Sequence, residues 1–161
     1  FLADNGYLKS VLTHQVFPLG TLVDETVGSP QMVAAELLSE HFLSEAEVEV
    51  IAVFITQNCL VLDAGRPFGM AVRKSGKSVY FDDNEYHEEV MWPRDIPYLV
   101  RLLIKTGREK VASMIIDRHL VRQDSEGVIF YNPELYSIGD DRGGELVPVK
   151  NPIQWWSHWI F

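Results

Sequence analysis

The chain has 161 residues, of which 47% are hydrophobic and 11% aromatic, so it is long and apolar enough to build a packed core. Its net charge of −9 argues against nucleic acid or an anionic membrane as a partner, because both are bound through basic patches. No uninterrupted apolar run approaches the roughly 20 residues of a membrane-spanning helix. The single cysteine, Cys59, excludes an internal disulfide and fits a reducing, cytoplasmic setting best.

Helix signals dominate the first part of the pattern. Ser29-Pro30 places a capping residue before a proline suited to the first helical position, and predicts a helix that runs to about Phe42. Ser44 and Glu47 form a capping box, which predicts a second helix. The expected buried face of that second helix carries Val48, Ile51, Ala52, Ile55 and Cys59.

Two long glycine-containing segments, 61–93 and 124–150, separate the later helices. Short strand pairs are expected within residues 61–81, where Gly65, Pro67 and Gly69 disfavour a helix. Between the two segments the periodicity predicts helices over about 95–106 and 109–122, and Asn151-Pro152 predicts a last helix. The second of these helices is expected to bury Val111, Met114, Ile115 and Leu120.

This pattern predicts an all-α fold in which antiparallel helical hairpins are joined by long loops, in a single domain over residues 1–161. Long structureless loops are uncommon in compact domains unless they carry function. We therefore expect the chemistry of the protein in the two long segments.

The first segment ends in the sequence from Tyr86 to Pro93, which contains His87 and Trp92. Aromatic faces stack on sugar rings, and histidine and glutamate side chains can bond to sugar hydroxyls. The alternative interpretation is a loop that leads into a helix, with Trp92 as a core anchor and His87 as a buried histidine with satisfied hydrogen bonds.

The second segment holds Glu134, directly after a proline. A carboxylate fixed in a rigid loop is what a general base needs to orient a water molecule against a sugar carbon. The alternatives are a solvated loop glutamate and a glutamate that hydrogen-bonds a loop or caps a neighbouring helix. Gln154 and Trp156 either line a sugar pocket or belong to an aromatic core stripe. Asp95 either caps a helix, acts as a second catalytic acid or forms a substrate clamp with Arg94. The histidines fall in no recognised ligand spacing, so we expect neither a metal nor a cofactor.

Several of these segments, in their order along the chain, resemble the C-terminal catalytic domain of glycogen debranching enzymes, the amylo-α-1,6-glucosidases. The matching segments are Pro67-Phe68-Gly69-Met70, Tyr86-His87, Trp92-Pro93, Pro133-Glu134-Leu135 and Gln154-x-Trp156-Ser157. The chain departs from the family at Glu89, where the family has glycine, and at Ala71, where it has arginine. Arg94-Asp95 is similar to a segment of glucoamylase-like relatives.

The resemblance implies a fold, an activity and a set of site residues. The fold would be part of an (α/α)6 toroid, completed by the rest of the catalytic domain. The activity would be inverting hydrolysis of α-glucosidic bonds in glycogen-like oligosaccharides, with Glu134 as general base and an aspartate from the missing part as general acid. Substrate contacts would come from Tyr86, His87, Trp92, Gln154 and Trp156. The alternatives are a non-catalytic α-glucan-binding domain and a helical protein-interaction module without a sugar site.

Overall fold

A computed structural model describes residues 10–16, 20–24, 27–74, 90–126, 131–138, 144–149, 151 and 153. Within these ranges the chain forms four α-helices and nine short strands. All strand pairs are antiparallel. The predicted all-α class, and with it the partial toroid of helical hairpins, is therefore wrong. None of the described helices is long and apolar enough to cross a membrane.

The helices occupy most of the positions that the sequence predicts. They are α1 (Ser29–Leu38), α2 (Glu45–Asn58), α3 (Ile96–Lys105) and α4 (Glu109–Ser125). The capping box that starts α2 is confirmed: Ser44 Oγ accepts from the Glu47 N–H, and Glu47 Oε2 accepts from the Ser44 N–H at 2.8 Å. The predicted helix after Asn151 lies outside the described residues.

Helix α1 ends earlier than predicted. Ser39 Oγ donates to the Glu36 carbonyl at 2.7 Å, which satisfies a carbonyl of the last helical turn. Phe42, expected on the apolar stripe, is instead 77% exposed in the turn that follows. Glu36 is buried and accepts from Arg101 Nε at 3.0 Å, so an ion pair fastens α1 to α3.

A strand pair forms near residues 61–70, where the sequence predicts one, but most of the other strands lie where it predicts loops or no element. The strands are β1 (Ser10–Val16), β2 (Gly20–Asp24), β3 (Val27–Gly28), β4 (Leu60–Asp63), β5 (Arg66–Met70), β6 (Arg73–Lys74), β7 (Val90–Met91), β8 (Leu135–Ser137) and β9 (Val147–Val149). Most have five residues or fewer, and the alternation of apolar and polar residues gives little signal over such lengths. Pro67 and Pro148 lie inside strands, where proline is unusual. The stability of the strands comes from pairing with distant segments, which a local pattern does not show.

Hairpin β4–β5 turns through two residues with positive φ, Ala64 at +46° and Gly65 at +73°. Two successive positive φ values match the twist of a tight hairpin. The hairpin connects onward, because the Ala71 N–H donates to Cys59 O at 3.1 Å and Val72 N–H donates to Val90 O at 2.9 Å. The backbone thus links β5 to the three-stranded sheet of β7, β8 and β9.

The main core lies between the helices and hairpin β4–β5. The buried face predicted for α2 is confirmed, since all five of its expected residues are at most 5% exposed. The face predicted for α4 is partly wrong: Ile115 is buried, but Met114 and Leu120 are exposed. The inner side of α4 is polar instead, with His119, Arg122 and Gln123 buried.

Candidate functional site

The sheet of β7, β8 and β9 brings three separated segments to one end. Met91 of β7 lies opposite Tyr136 of β8, and Leu135 lies opposite Val149 of β9. Because both pairings are antiparallel, the residue after β7, the residue before β8 and the residues after β9 share the same end of the sheet. These residues are Trp92, Glu134 and Asn151.

Glu134 is held in place on both its backbone and its side chain. It is 3% exposed, and its Oε2 accepts from Asn151 Nδ2 at 2.7 Å. Its backbone N–H donates to the Asn151 carbonyl at 2.9 Å. The preceding residue, Pro133, is buried and fixes the backbone angle next to the carboxylate. The interpretation of Glu134 as a solvated loop glutamate is therefore wrong.

Trp92 is buried at this end of the sheet. It is 4% exposed and packs in a cluster with Val72, Val90 and Leu135. The Arg94 guanidinium lies 4.0 Å from the centre of the indole ring, a cation–π contact. The burial of Trp92 and its contact with Arg94 agree with the alternative interpretation of a core anchor, and its contact with a substrate stays a prediction.

Asp95 lies at the end of the 3₁₀ turn Pro93–Asp95 that leads into α3. It occupies the N-cap position of α3, but its side chain makes no capping hydrogen bond there. The prediction that Asp95 caps the helix is wrong in this respect. Its carboxylate instead lies 3.6 Å from Arg94 Nε and is largely buried.

Four predicted contact residues, Tyr86, His87, Gln154 and Trp156, lie outside the described residues. Their role in substrate binding stays a prediction.

The inner face of α4 carries a buried ionic cluster that sequence reasoning missed. Arg118 Nε lies 2.6 Å from the carboxylate of Asp63, which is fully buried at the end of β4. Leu146 is held at both backbone groups: its N–H donates to Asp63 Oδ1 at 2.8 Å, and its carbonyl accepts from Arg122 Nη2 at 2.6 Å. The cluster therefore fastens the segment before β9 to α4 and hairpin β4–β5.

The cluster also reaches β8. Arg122 Nη2 lies 3.0 Å from Glu126, whose carboxylate accepts from the Tyr136 hydroxyl at 3.2 Å. Burial raises the pKa of the Glu126 carboxyl. Burial also raises the pKa of the Tyr136 hydroxyl, and the negative charge of Glu126 raises it further. The sequence did not predict this face, because the partners of Arg118 and Arg122 come from segments distant in the sequence.

His119 is the fully buried imidazole of the same helix face. Its Nε2 lies 2.7 Å from the Phe68 carbonyl, and its ring stacks on Phe68 with centroids 3.7 Å apart. Burial lowers its pKa to about 3, and the positive charge of Arg122 acts in the same direction. His119 is therefore neutral in the folded protein at any pH near neutrality.

We predict that His119 makes the protein acid-sensitive. In the unfolded chain the pKa returns to about 6.5, so between pH 6.5 and 3 the unfolded state binds the extra proton. Stability is then lost as pH falls, by about 2 kcal/mol at pH 5. Urea unfolding at pH 7 and pH 5 measures the loss.

The matched variant is His119→Gln, which removes the titration and keeps an amide that can donate to Phe68. We expect it to be less stable at pH 7 but to lose less stability on going to pH 5. Glu126 acts in the opposite direction, since its raised pKa favours the folded state as pH falls, but this contribution is common to both proteins. Equal losses in the two proteins would contradict the role given to His119.

Within the described residues, no group of three His, Cys, Asp or Glu side chains could hold a metal ion. No protein-family model matches the chain, and no curated protein or solved structure is significantly similar to it. The resemblance to debranching glucosidases thus stays a prediction that depends on the motifs themselves.

Proposed function

We propose that this chain is part of a cytoplasmic glycoside hydrolase that cleaves α-glucosidic bonds in glycogen-like oligosaccharides with inversion. Glu134 is the general base in this proposal. The general acid and the remainder of the substrate site are assigned to other parts of the full-length protein.

One observation carries the proposal: two of the matching motifs, which lie far apart in the sequence, are adjacent at one end of one small sheet. The segment containing Trp92-Pro93 comes from the end of β7, and Pro133-Glu134-Leu135 comes from the start of β8. Leu135 packs in the same cluster as Trp92. Asn151, just before the Gln154-x-Trp156-Ser157 motif, bonds to the Glu134 carboxylate.

The hydrogen bonds of Glu134 support one requirement of a general base, a fixed orientation. In an inverting reaction the base takes a proton from water, and the water oxygen attacks the anomeric carbon from the face opposite the leaving oxygen. The base must hold one orientation through this step, and the bonds between Glu134 and Asn151 provide such an orientation. The acid carboxyl would lie roughly 6.5–9.5 Å from Glu134 to leave space for the water.

The second candidate is a non-catalytic α-glucan-binding or structural domain. The low exposure of Glu134 and its bond to Asn151 favour this reading, because a carboxylate that only fastens two strand ends would have the same contacts. In that case Glu134 contributes to stability and to no chemical step.

Glucose release by the full-length protein from branched glucan oligosaccharides separates the two candidates. The proposal predicts release of glucose together with a sugar-induced change in tryptophan fluorescence. A fluorescence change without glucose release would favour the binding domain. Absence of both would favour a protein-interaction module and overturn both candidates.

A further inference from the structure

Asn132 is anchored to α4 just before the chain reaches Glu134. Its side chain is fully buried, and its Oδ1 accepts from Gln123 Nε2 at 3.0 Å. Gln123 is itself 3% exposed. A hydrogen bond between two buried amides, joining a helix to a segment without regular structure, fixes where that segment lies.

His119 lies one turn before Gln123 on the same buried face of α4. Its position is fixed by Phe68. A carbonyl can only accept, so the proton of the neutral imidazole lies on Nε2, which donates to Phe68 O. The helix face that holds Asn132 through Gln123 is thus itself held against hairpin β4–β5 by the bond between His119 and Phe68.

From Asn132 the constraint passes to Glu134 through a single residue. Pro133 has a fixed φ and is buried, so little freedom remains between the anchored asparagine and the carboxylate. On the far side Asn151 bonds to both the backbone and the side chain of Glu134. Glu134 thus lies between two anchors that belong to different parts of the fold.

We propose that Gln123 and Asn132 are positioning residues for Glu134, acting through the backbone rather than by touching a substrate. This inference rests on the proposed function as far as turnover is concerned. We expect the hydrogen bond between Gln123 and Asn132 to affect the position of Glu134 more than the free energy of unfolding. A misplacement of about 1 Å in a catalytic group can cost on the order of a hundredfold in rate.

The test uses Gln123→Met in the full-length protein, which removes the amide and keeps an unbranched side chain of similar length. The control is Ile51→Val in α2, a comparable buried change distant in sequence from this sheet. Gln123→Glu is a second variant of the same shape, in which an acceptor faces Asn132 Oδ1. Asn132 must then turn its amide to keep a hydrogen bond to residue 123.

Two measurements are made on each protein. The first is kcat and KM for glucan hydrolysis, where we expect kcat to fall about tenfold in the Gln123 variants and KM to change less than about twofold. The second is hydrogen exchange of the Glu134 amide, which bonds to Asn151 O. We expect this amide to exchange about tenfold faster in the Gln123 variants than in the control.

The outcomes distinguish the inference from the proposed function. If the native protein hydrolyses glucans but the Gln123 variants match the Ile51→Val control in kcat and in Glu134 exchange, the positioning role is wrong and the proposed function stands. If the native protein has no hydrolase activity, the proposed function fails, and exchange at Glu134 alone decides whether Gln123 positions it. Should Gln123→Met not fold, Gln123→Glu is read by the same two criteria.

Discussion

Replacing Glu134 with glutamine is expected to lower glucan turnover by at least about a hundredfold while glucan binding survives. The substitution removes the proton-accepting charge but keeps an amide oxygen that can still accept from Asn151 Nδ2, so the end of the sheet should keep its shape. The measurement is kcat and KM for glucose release by the full-length protein, together with glucan affinity from tryptophan fluorescence.

A matched control for this change is Glu36→Gln. Glu36 is likewise a buried carboxylate, 5% exposed, but it pairs with Arg101 between α1 and α3. We expect the control to lose stability and to keep its turnover once folded. If Glu134→Gln retains near-normal turnover, Glu134 only fastens the strand ends, and Asp95 or Glu89 becomes the next candidate for the base.

The largest effect on stability is expected at Asp63. Changing it to asparagine should destabilise the protein by about 3 kcal/mol, because a buried ion pair that loses one partner leaves the other charge uncompensated. Arg118 would lose its partner at 2.6 Å, and Arg122 would lose the carboxylate that lies 3.8 Å from its Nε. The free energy of unfolding in urea measures the effect.

Asp117→Asn provides the control for this prediction, since Asp117 is exposed on the outer side of α4. We expect it to change stability by no more than about 0.5 kcal/mol. Hydrogen exchange at Leu146 should also increase in Asp63→Asn, because the Leu146 N–H donates to Asp63 Oδ1. A similar small effect in both variants would show that the ionic cluster contributes little to stability.

The helices were predictable where the signal is local. Ser44 and Glu47 define the start of α2 through bonds within one turn, and Gly107, with φ +68°, ends the turn after α3 where the sequence indicates a helix end. Strands β7 and β8 could not be predicted in this way. They are two and three residues long, and they pair with each other across more than forty residues of sequence.

The sequence singles out Glu134 and Trp92 but not their geometry, because their placement at one end of the sheet depends on the register of β7 against β8. Charged residues of a helix usually face solvent, so the local pattern of α4 does not predict a buried arginine. Arg122 is buried because Asp63 and the Leu146 carbonyl, both distant in sequence, offer it partners.

The anomeric configuration of newly released glucose tests the central proposal most directly. Proton nuclear magnetic resonance, recorded before mutarotation, distinguishes the two anomers during the first minutes of glucan hydrolysis by the full-length protein. An inverting base at Glu134 predicts β-glucose from an α-linked substrate, and its loss in Glu134→Gln. Release of α-glucose, or no glucose release by the native protein, would contradict the proposed role of this chain.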